Sequence, residues 1–389
     1  MTLEVKRAYL RELRLRYKNA TKRQKGVILS EFCATSGLSR KHVIRLLNMP
    51  AKKPELKPGP KAKYGTKVVR NLARLWRVMN MCSVRMKQAL PIWLRYDENP
   101  DLDAETRTLL TEMSSSTIDR LLRPFRKRRG LSSTEPSAFI KSKIPIELLT
   151  SAVKAPGTVE ADTVAHCGNS LSGKFGNTLT VTDLYSGWTE NYATLTKSAK
   201  EVISGIKNIR YRAPFSIKEF ACDNGSEFLN HDLVNYFQNK NYGYVKVVRR
   251  RPYKKNDNAH VEQKNDTHVR KLFGYSRIEH PDLIEMMNDI YRWYWNPLLN
   301  HFYPAMKLKN KVRIGGKLKK TYDTPKTPYQ RLLDSGSLSE KQTKNLQESN
   351  IKMNPFTLEK LLNEKICDFK MALAQHASLI EMQEDKMAS

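Results

Sequence analysis

The apolar period of this chain changes at Pro156-Gly157, and that change constrains the fold more than any other feature. Before it, apolar residues recur every three or four positions, as on helices. After it, TVEADTVAH and GNTLTVTDLY alternate with β-branched residues, Ser186-Gly187 supplies a turn, and WTENYATL continues the alternation. The pattern predicts three consecutive antiparallel strands, then a helix in KSAKEVISGIKNIRY and a short buried strand in SIKEFACDNG. A helix in SEFLNHDLVNYFQNK, a strand in VKVVRRR and a helix in AHVEQKNDTHVRKLF complete a βββαβαβα unit over 157–300, a mixed α/β domain.

The first half reads as helices. Leu10, Leu13 and Tyr17 recur at helical spacing, as do Val27, Ile28, Phe32 and Cys33. In TSGLSRKHVIRLLN, Gly37 marks a turn and Ser39 an N-cap for a helix expected to bury Val43, Ile44 and Leu47. Residues 1–49 thus have the outline of a helix-turn-helix whose Arg40, Lys41 and Arg45 point away from the apolar stripe, placed to enter a major groove. A basic, proline-rich linker is expected over 50–65, a second helical DNA-binding domain over 66–129, and a further linker over 130–156. In that second domain Ser115 or Ser116 is read as the cap of a last helix that buries Ile118, Leu121 and Leu122 and turns Arg120 and Arg123 outward. Trp76 and Trp93 are read as core.

Charge says what such a chain meets. Lys and Arg total 69 against 39 Asp and Glu, a net charge of +30, and residues 1–150 carry 33 against 13. This excludes an acidic disordered protein and points to a polyanion. No apolar run reaches the length of a membrane span and the N-terminus lacks a signal peptide's apolar core, so the expectation is a cytoplasmic protein with no membrane partner. Five cysteines, far apart and without a CxxC pair, are expected as reduced, mostly buried thiols rather than a zinc site.

Three acids fall at telling positions. Asp162 lies within the first strand, Asp223 ends the fourth just before Asn224-Gly225, and Glu262 opens the last helix. Carboxylates gathered in one place repel unless cations neutralise them, and hard oxygen ligands suit Mg²⁺ or Mn²⁺. Asp183 reads as a turn residue, Asp257 and Asp266 are rivals to Glu262, and His166 and His260 stand as outer partners or surface residues.

EADTVAHCG, ACDNGSEF and DNAHVEQKN together resemble the DDE catalytic core of retroviral integrases and insertion-sequence transposases, over about 157–300. The resemblance implies a ribonuclease H-like fold, two Mg²⁺ or Mn²⁺ ions per active site, and phosphoryl transfer at DNA ends without a covalent protein intermediate. It carries over Asp162, Asp223 and Glu262 as catalytic, metal-binding acids. Thirty-eight residues separate the last two, a few more than is common there, and Asp266 stands where that pattern offers a lysine. Element ends and target DNA are the implied partners, with a homo-oligomer holding two ends and a helper protein as an optional addition. Arg249, Arg250, Arg251, Lys254 and Lys255 in the basic loop, and Lys264, His268 and Lys271 at i, i+4 and i+7, are the expected backbone contacts. A ribonuclease H-like structure-specific nuclease and a DNA-binding regulator with an inactive core are the rival readings. Behind the core, 301–389 is expected to hold a basic linker or short β element that contacts DNA at 307–323 and helices, with Leu358, Leu361, Leu362, Ile366 and Phe369 as a stripe for self-association or packing.

Overall fold

A computed structural model describes residues 3–49, 63–126, 153–222, 228, 231–239, 243–249, 264–314 and 317–388. The chain divides into two compact units, residues 1–63 and 64–389.

The first unit packs α1 (Leu3–Asn19), α2 (Lys22–Ser36) and α3 (Arg40–Asn48) around Leu13, Ile28, Leu29, Phe32, Val43 and Leu47. Thr21 and Gln24 form a reciprocal capping box that starts α2. Gly37, at φ 69°, ends it in the left-handed region that glycine enters at little cost. Ser39 occupies the N-cap position of α3 without a side-chain bond. Ile44 is exposed rather than buried, since Val43 and Leu47, four residues apart, already fill the seam.

The second unit begins with α4 (Thr66–Met79), α5 (Ser83–Trp93), α6 (Ala104–Glu112) and α7 (Ser115–Leu122). Ser114, not Ser115 or Ser116, caps α7 by accepting the amide of Thr117. The three strands follow where the alternation placed them: β1 (Thr158–Ala165), β2 (Asn177–Asp183) and β3 (Thr189–Thr194). After α8 (Ala199–Arg212) come β4 (Glu219–Cys222), α9 (His231–Gln238) and β5 (Lys246–Arg249). The sheet order is β3-β2-β1-β4-β5, with β1, β2 and β3 antiparallel and β1, β4 and β5 parallel. This mixed α/β architecture, with helical regions around it, is consistent with a ribonuclease H-like core. Val159, Ala161 and Phe220 from the sheet meet Val202, Ile206 and Ile209 of α8 in one apolar layer.

Beyond the sheet run α10 (Pro281–Asp289), a π-helical stretch Ile290–Trp295 and α11 (Asn296–Phe302). These elements close the edge strand β3. Asn288 exchanges two hydrogen bonds with the backbone of Ala193, Asn300 does the same with Thr189, and Asn296 donates to the carbonyl of Asn191. A ribbon of β6 (Leu308–Ile314) and β7 (Lys317–Tyr322) leads to α12 (Pro328–Asp334), α13 (Glu340–Ile351) and α14 (Pro355–Ala388). On α14 Leu358, Leu362, Ile366 and Phe369 pack on this chain's own core.

The helices of 66–126 do not form a separate domain. Leu72, Trp93, Met113 and Ile118 share one apolar core with Phe273, Met287, Tyr291, Phe302 and Phe369. Helical periodicity shows which face is apolar and is silent on what covers it. Trp93 is fully buried, its indole N–H donates to the carbonyl of Phe302 at 3.1 Å, and its ring meets Phe356 edge-on at 5.1 Å. The cysteines are free, but Cys222 alone among the five is buried, while Cys82 and Cys367 are exposed. Among the described residues no helix is long and apolar enough to cross a membrane.

Trp93→Ala is expected to cost the unit 64–389 about 3–5 kcal/mol and to lower one cooperative unfolding transition. Calorimetry that resolves two transitions, with only one of them shifted, would show that the helical region is an independent body after all.

Candidate active site

Asp162 sits in β1, the middle strand of the sheet, opposite Thr180 of β2. It is half-buried. One oxygen accepts the amide of Thr163 at 2.8 Å and the other accepts the Asn265 side-chain amide at 2.7 Å. On the other flank, the parallel register of β1 and β4 ends with Ala161 opposite Cys222, the residue bonded in sequence to Asp223. Asp223 itself, Glu262, Arg250, Arg251, Lys254, Lys255, and also Asp257 and His260, lie outside the described residues, and of Arg249 only the backbone is described, paired opposite Cys222.

Asn265 opens a π-helical segment, Asn265–Arg270, three residues after Glu262 in sequence. Sequence reading passed over it, because an asparagine on an otherwise charged helix carries no compositional signal; only its spacing from Glu262 marks it. Arg270 at the far end of the segment donates to the carbonyl of Ala165 at 2.8 Å, so the segment is fastened to β1 at two points. Residues five apart lie on different faces of an α-helix of 3.6 residues per turn, and the wider π turn brings Asn265 and Arg270 round to one side. A third tether is the indole N–H of Trp295, which donates to the carbonyl of His268 at 2.9 Å.

The same turn overturns the stripe expected of Lys264, His268 and Lys271. His268 is buried, edge-on to the Trp295 ring, and burial holds its imidazole well below its ordinary range. Lys264 is half-buried with its ammonium 3.4 Å from the His268 ring; desolvation, then the nearby Arg85 and Lys307 cations, pull it down to about 8. Lys271 is exposed and pairs with Asp266 at 3.2 Å. His166 is neither a surface residue nor free to move. It is fully buried at the end of β1, its Nε2 2.8 Å from the Thr178 hydroxyl, and desolvation pulls it down to about 3. Asp183 is the turn residue expected, accepting the amides of Gly157 and Ser186 and the Ser186 hydroxyl. Arg40, Lys41 and Arg45 on α3 are exposed, as are Arg120 and Arg123 at and beyond the end of α7.

One group of side chains among the described residues has the makings of a metal site: His280, Asp282 and His376, with ligand atoms within 4.8 Å. It includes none of the expected acids, and His280 already accepts the amide of Asp282 to cap α10.

No family model matches the sequence. The chain is 35% identical over 332 residues to the uncharacterized protein y4rM of Sinorhizobium fredii, covering 81% of this chain and 91% of that protein, and it belongs to the same family. Among solved structures it is similar to the catalytic core domain of BIV integrase, with 19% identity, a TM-score of 0.30, and coverage of 49% of this chain and 98% of that one. It is also similar to the HTLV-2 integrase catalytic core domain in complex with magnesium, with 15% identity, a TM-score of 0.26, and coverage of 42% and 93%.

Two outcomes are expected. Asn265→Ala withdraws one hydrogen-bond donor from Asp162 and should lower any metal-dependent activity of the chain about 10- to 100-fold with little change in unfolding midpoint. An unfolding defect with normal metal dependence would make Asn265 purely structural. Separately, His166, His268 and His301 are buried with lowered pKa values, so the unfolded chain binds more protons below about pH 6.5 and stability is lost as pH falls toward 3. Urea unfolding between pH 4 and 6 should show His166→Gln lowering that slope by about 1.4 kcal/mol per pH unit; an unchanged slope would refute the assignment.

Proposed function

We propose that this chain is a DNA transposase or integrase whose Asp162, Asp223 and Glu262 act together on a phosphodiester. One observation carries the reading: the hydrogen bond from Asn265 to Asp162, which ties the segment directly following Glu262 to the strand that carries the first acid. The neighbouring strand β4 ends at Cys222, opposite Ala161 and one residue before Asp223 in sequence, which supports reading Asp162 and Asp223 as a pair.

Asp162 offers a hard oxygen donor in a fixed orientation, as Mg²⁺ or Mn²⁺ requires, and Asp223 and Glu262 supply donors of the same kind. These three residues would hold the ions, two per site. When bound, such ions supply positive charge to the phosphate and ease deprotonation of the attacking oxygen. The protein's own part is to orient the carboxylates: Asn265 and Thr163 each donate to a different Asp162 oxygen, which fixes the plane of the carboxylate. In hydrolysis, water forms a bond to phosphorus as the bond to the 3′ oxygen breaks, leaving a 3′-hydroxyl. That hydroxyl then attacks a target phosphodiester, releasing the target's 3′ oxygen, so the number of phosphodiester bonds is conserved in joining.

Exposed Arg40, Lys41 and Arg45 on α3, preceded by α2 and a three-residue turn at Gly37, support a helix-turn-helix that reads element ends. Two ends are held by a homo-oligomer, with target DNA as the second substrate and a helper protein as an optional partner.

The test is a strand-joining assay with the full chain, Mg²⁺ or Mn²⁺, a supercoiled plasmid and duplexes bearing the DNA that flanks the reading frame. Asp162→Asn, Asp223→Asn and Glu262→Gln should each remove joined product, by more than the loss in Asn265→Ala, while DNA binding stays near normal. Cutting without joining would favour the structure-specific nuclease, and activity retained in Glu262→Gln would move the third acid to Asp257 or Asp266.

A further inference from the structure

We infer that the β6–β7 ribbon is a DNA-gripping arm that lies in the major groove of a duplex segment beside the reacting phosphate. The identity of its polyanion rests on the nucleic-acid reading above; the rest stands on the ribbon itself.

Residues 308–322 contain Lys309, Lys311, Arg313, Lys317, Lys319 and Lys320 and no acid. The antiparallel register sets Lys311 directly opposite Lys320, and Val312 opposite Lys319. Like charges directly opposite one another destabilise a pair of strands, and a lone two-stranded hairpin is marginal in water. A polyanion alongside turns the same charges into attraction. Lys309, Arg313, Lys319 and Lys320 are exposed, and among the described residues no acid pairs with them.

The base of the ribbon shows what a structural cation looks like here. The Lys307 ammonium donates to the carbonyls of Leu184 and Tyr185 in the β2–β3 turn, and desolvation pulls it down to about 8. Its backbone N–H donates to the Asp323 carboxylate at 2.6 Å, and that carboxylate also pairs with Arg331 of α12 at 2.7 Å. Lys307 is thus consumed in fixing the direction of the arm, while Lys309, Arg313, Lys319 and Lys320 beyond it meet solvent.

Shape selects the occupant. Strands stand about 4.8 Å apart, and a two-stranded ribbon with its side chains fits the roughly 12 Å major groove of B-DNA. The deep, narrow major groove of RNA does not admit one. Seven residues of β6 reach about 20 Å. Val312 and Tyr322, 45% and 49% exposed, offer apolar contact of the kind thymine methyl groups accept. The anchoring turn lies at the start of β1, where the Leu184 amide meets the Thr158 carbonyl, four residues and about 13 Å along the strand from Asp162. The ribbon therefore holds DNA to one side of the reacting phosphate, not at it.

The test measures binding alone: the full chain, EDTA, a random-sequence 30-bp DNA duplex and fluorescence anisotropy across a salt series. Arg313→Ala/Lys319→Ala/Lys320→Ala should make the slope of log affinity against log salt shallower by about 2–3 and weaken binding at least about tenfold, with an unchanged unfolding midpoint. Lys319→Arg/Lys320→Arg should bind as the parent does. Double-stranded RNA of the same length should bind more weakly than DNA and be indifferent to the triple variant. An unchanged slope on DNA would overturn the inference, as would an equal loss on RNA, polyglutamate or anionic vesicles, which would make the ribbon a general anion surface. Because EDTA removes the chemistry, failure of the catalytic reading would show only in strand joining, and failure of the ribbon only here.

Discussion

A carboxylate in the central strand of a sheet is costly unless something donates to it, and the arrangement around Asp162 answers that demand. The Thr163 amide of its own strand serves one oxygen, and an element outside the sheet supplies a donor to the other. That element is the π-helical segment, and it reaches the acid because the wider turn brings Asn265 and Arg270 to the same side, one on Asp162 and one on Ala165. The tether from Trp295 to His268 then couples this segment to the second π-helical stretch, and through it to α10 and α11 against β3. Two departures from regular helix stand where the protein holds its candidate catalytic strand, in keeping with the tendency of π turns to mark functional sites.

How much of this was legible depended on what each signal measures. Alternation of β-branched residues located β1, β2 and β3 because a pleated strand leaves a period of two that little else produces. Helical periodicity located the helices on either side of Gly37 and the last helix of 66–126, α7 (Ser115–Leu122). It failed at Lys264, His268 and Lys271 for a definite reason: the period assumed was 3.6, and the π turn moved His268 from the expected outer face into the core. It also failed at the level of domains, because the stripes on α4 to α7 are indifferent to whether their cover lies within 66–129 or two hundred residues away at Phe302 and Phe369. His166 escaped for a similar reason, since burial of an imidazole against Thr178 and edge-on to Phe273 is a tertiary fact. Of Asp162, Asp223 and Glu262, Asp162 is the one whose surroundings are described, and its partner Asn265 had no signature beyond distance along the chain.

The large positive charge does not all face solvent. Arg277 binds the carbonyls of Cys167, Ser170, Ser172 and Lys174, and so gathers the loop between β1 and β2. Arg107 does the same for Leu94, Asp97 and Leu102, and Arg14 binds Leu46 in the first unit. A guanidinium has five donors in a fixed fork, which makes it an efficient clasp for carbonyls that no regular element satisfies. Net charge counts these clasps and the exposed cations alike; only burial and partners separate them.

The asparagines that close β3 carry a consequence for the making of the protein. Thr189 and its partner Asn300 lie 111 residues apart, so the strand leaves the ribosome long before the helix that seals it. At about 5–20 residues per second, the edge of β3 waits roughly 5–20 s for its cover. During that interval its backbone is a template for any passing strand. Once Asn288, Asn296 and Asn300 arrive, amide side chains occupy the positions a neighbouring strand would take, and the sheet can no longer grow from that side.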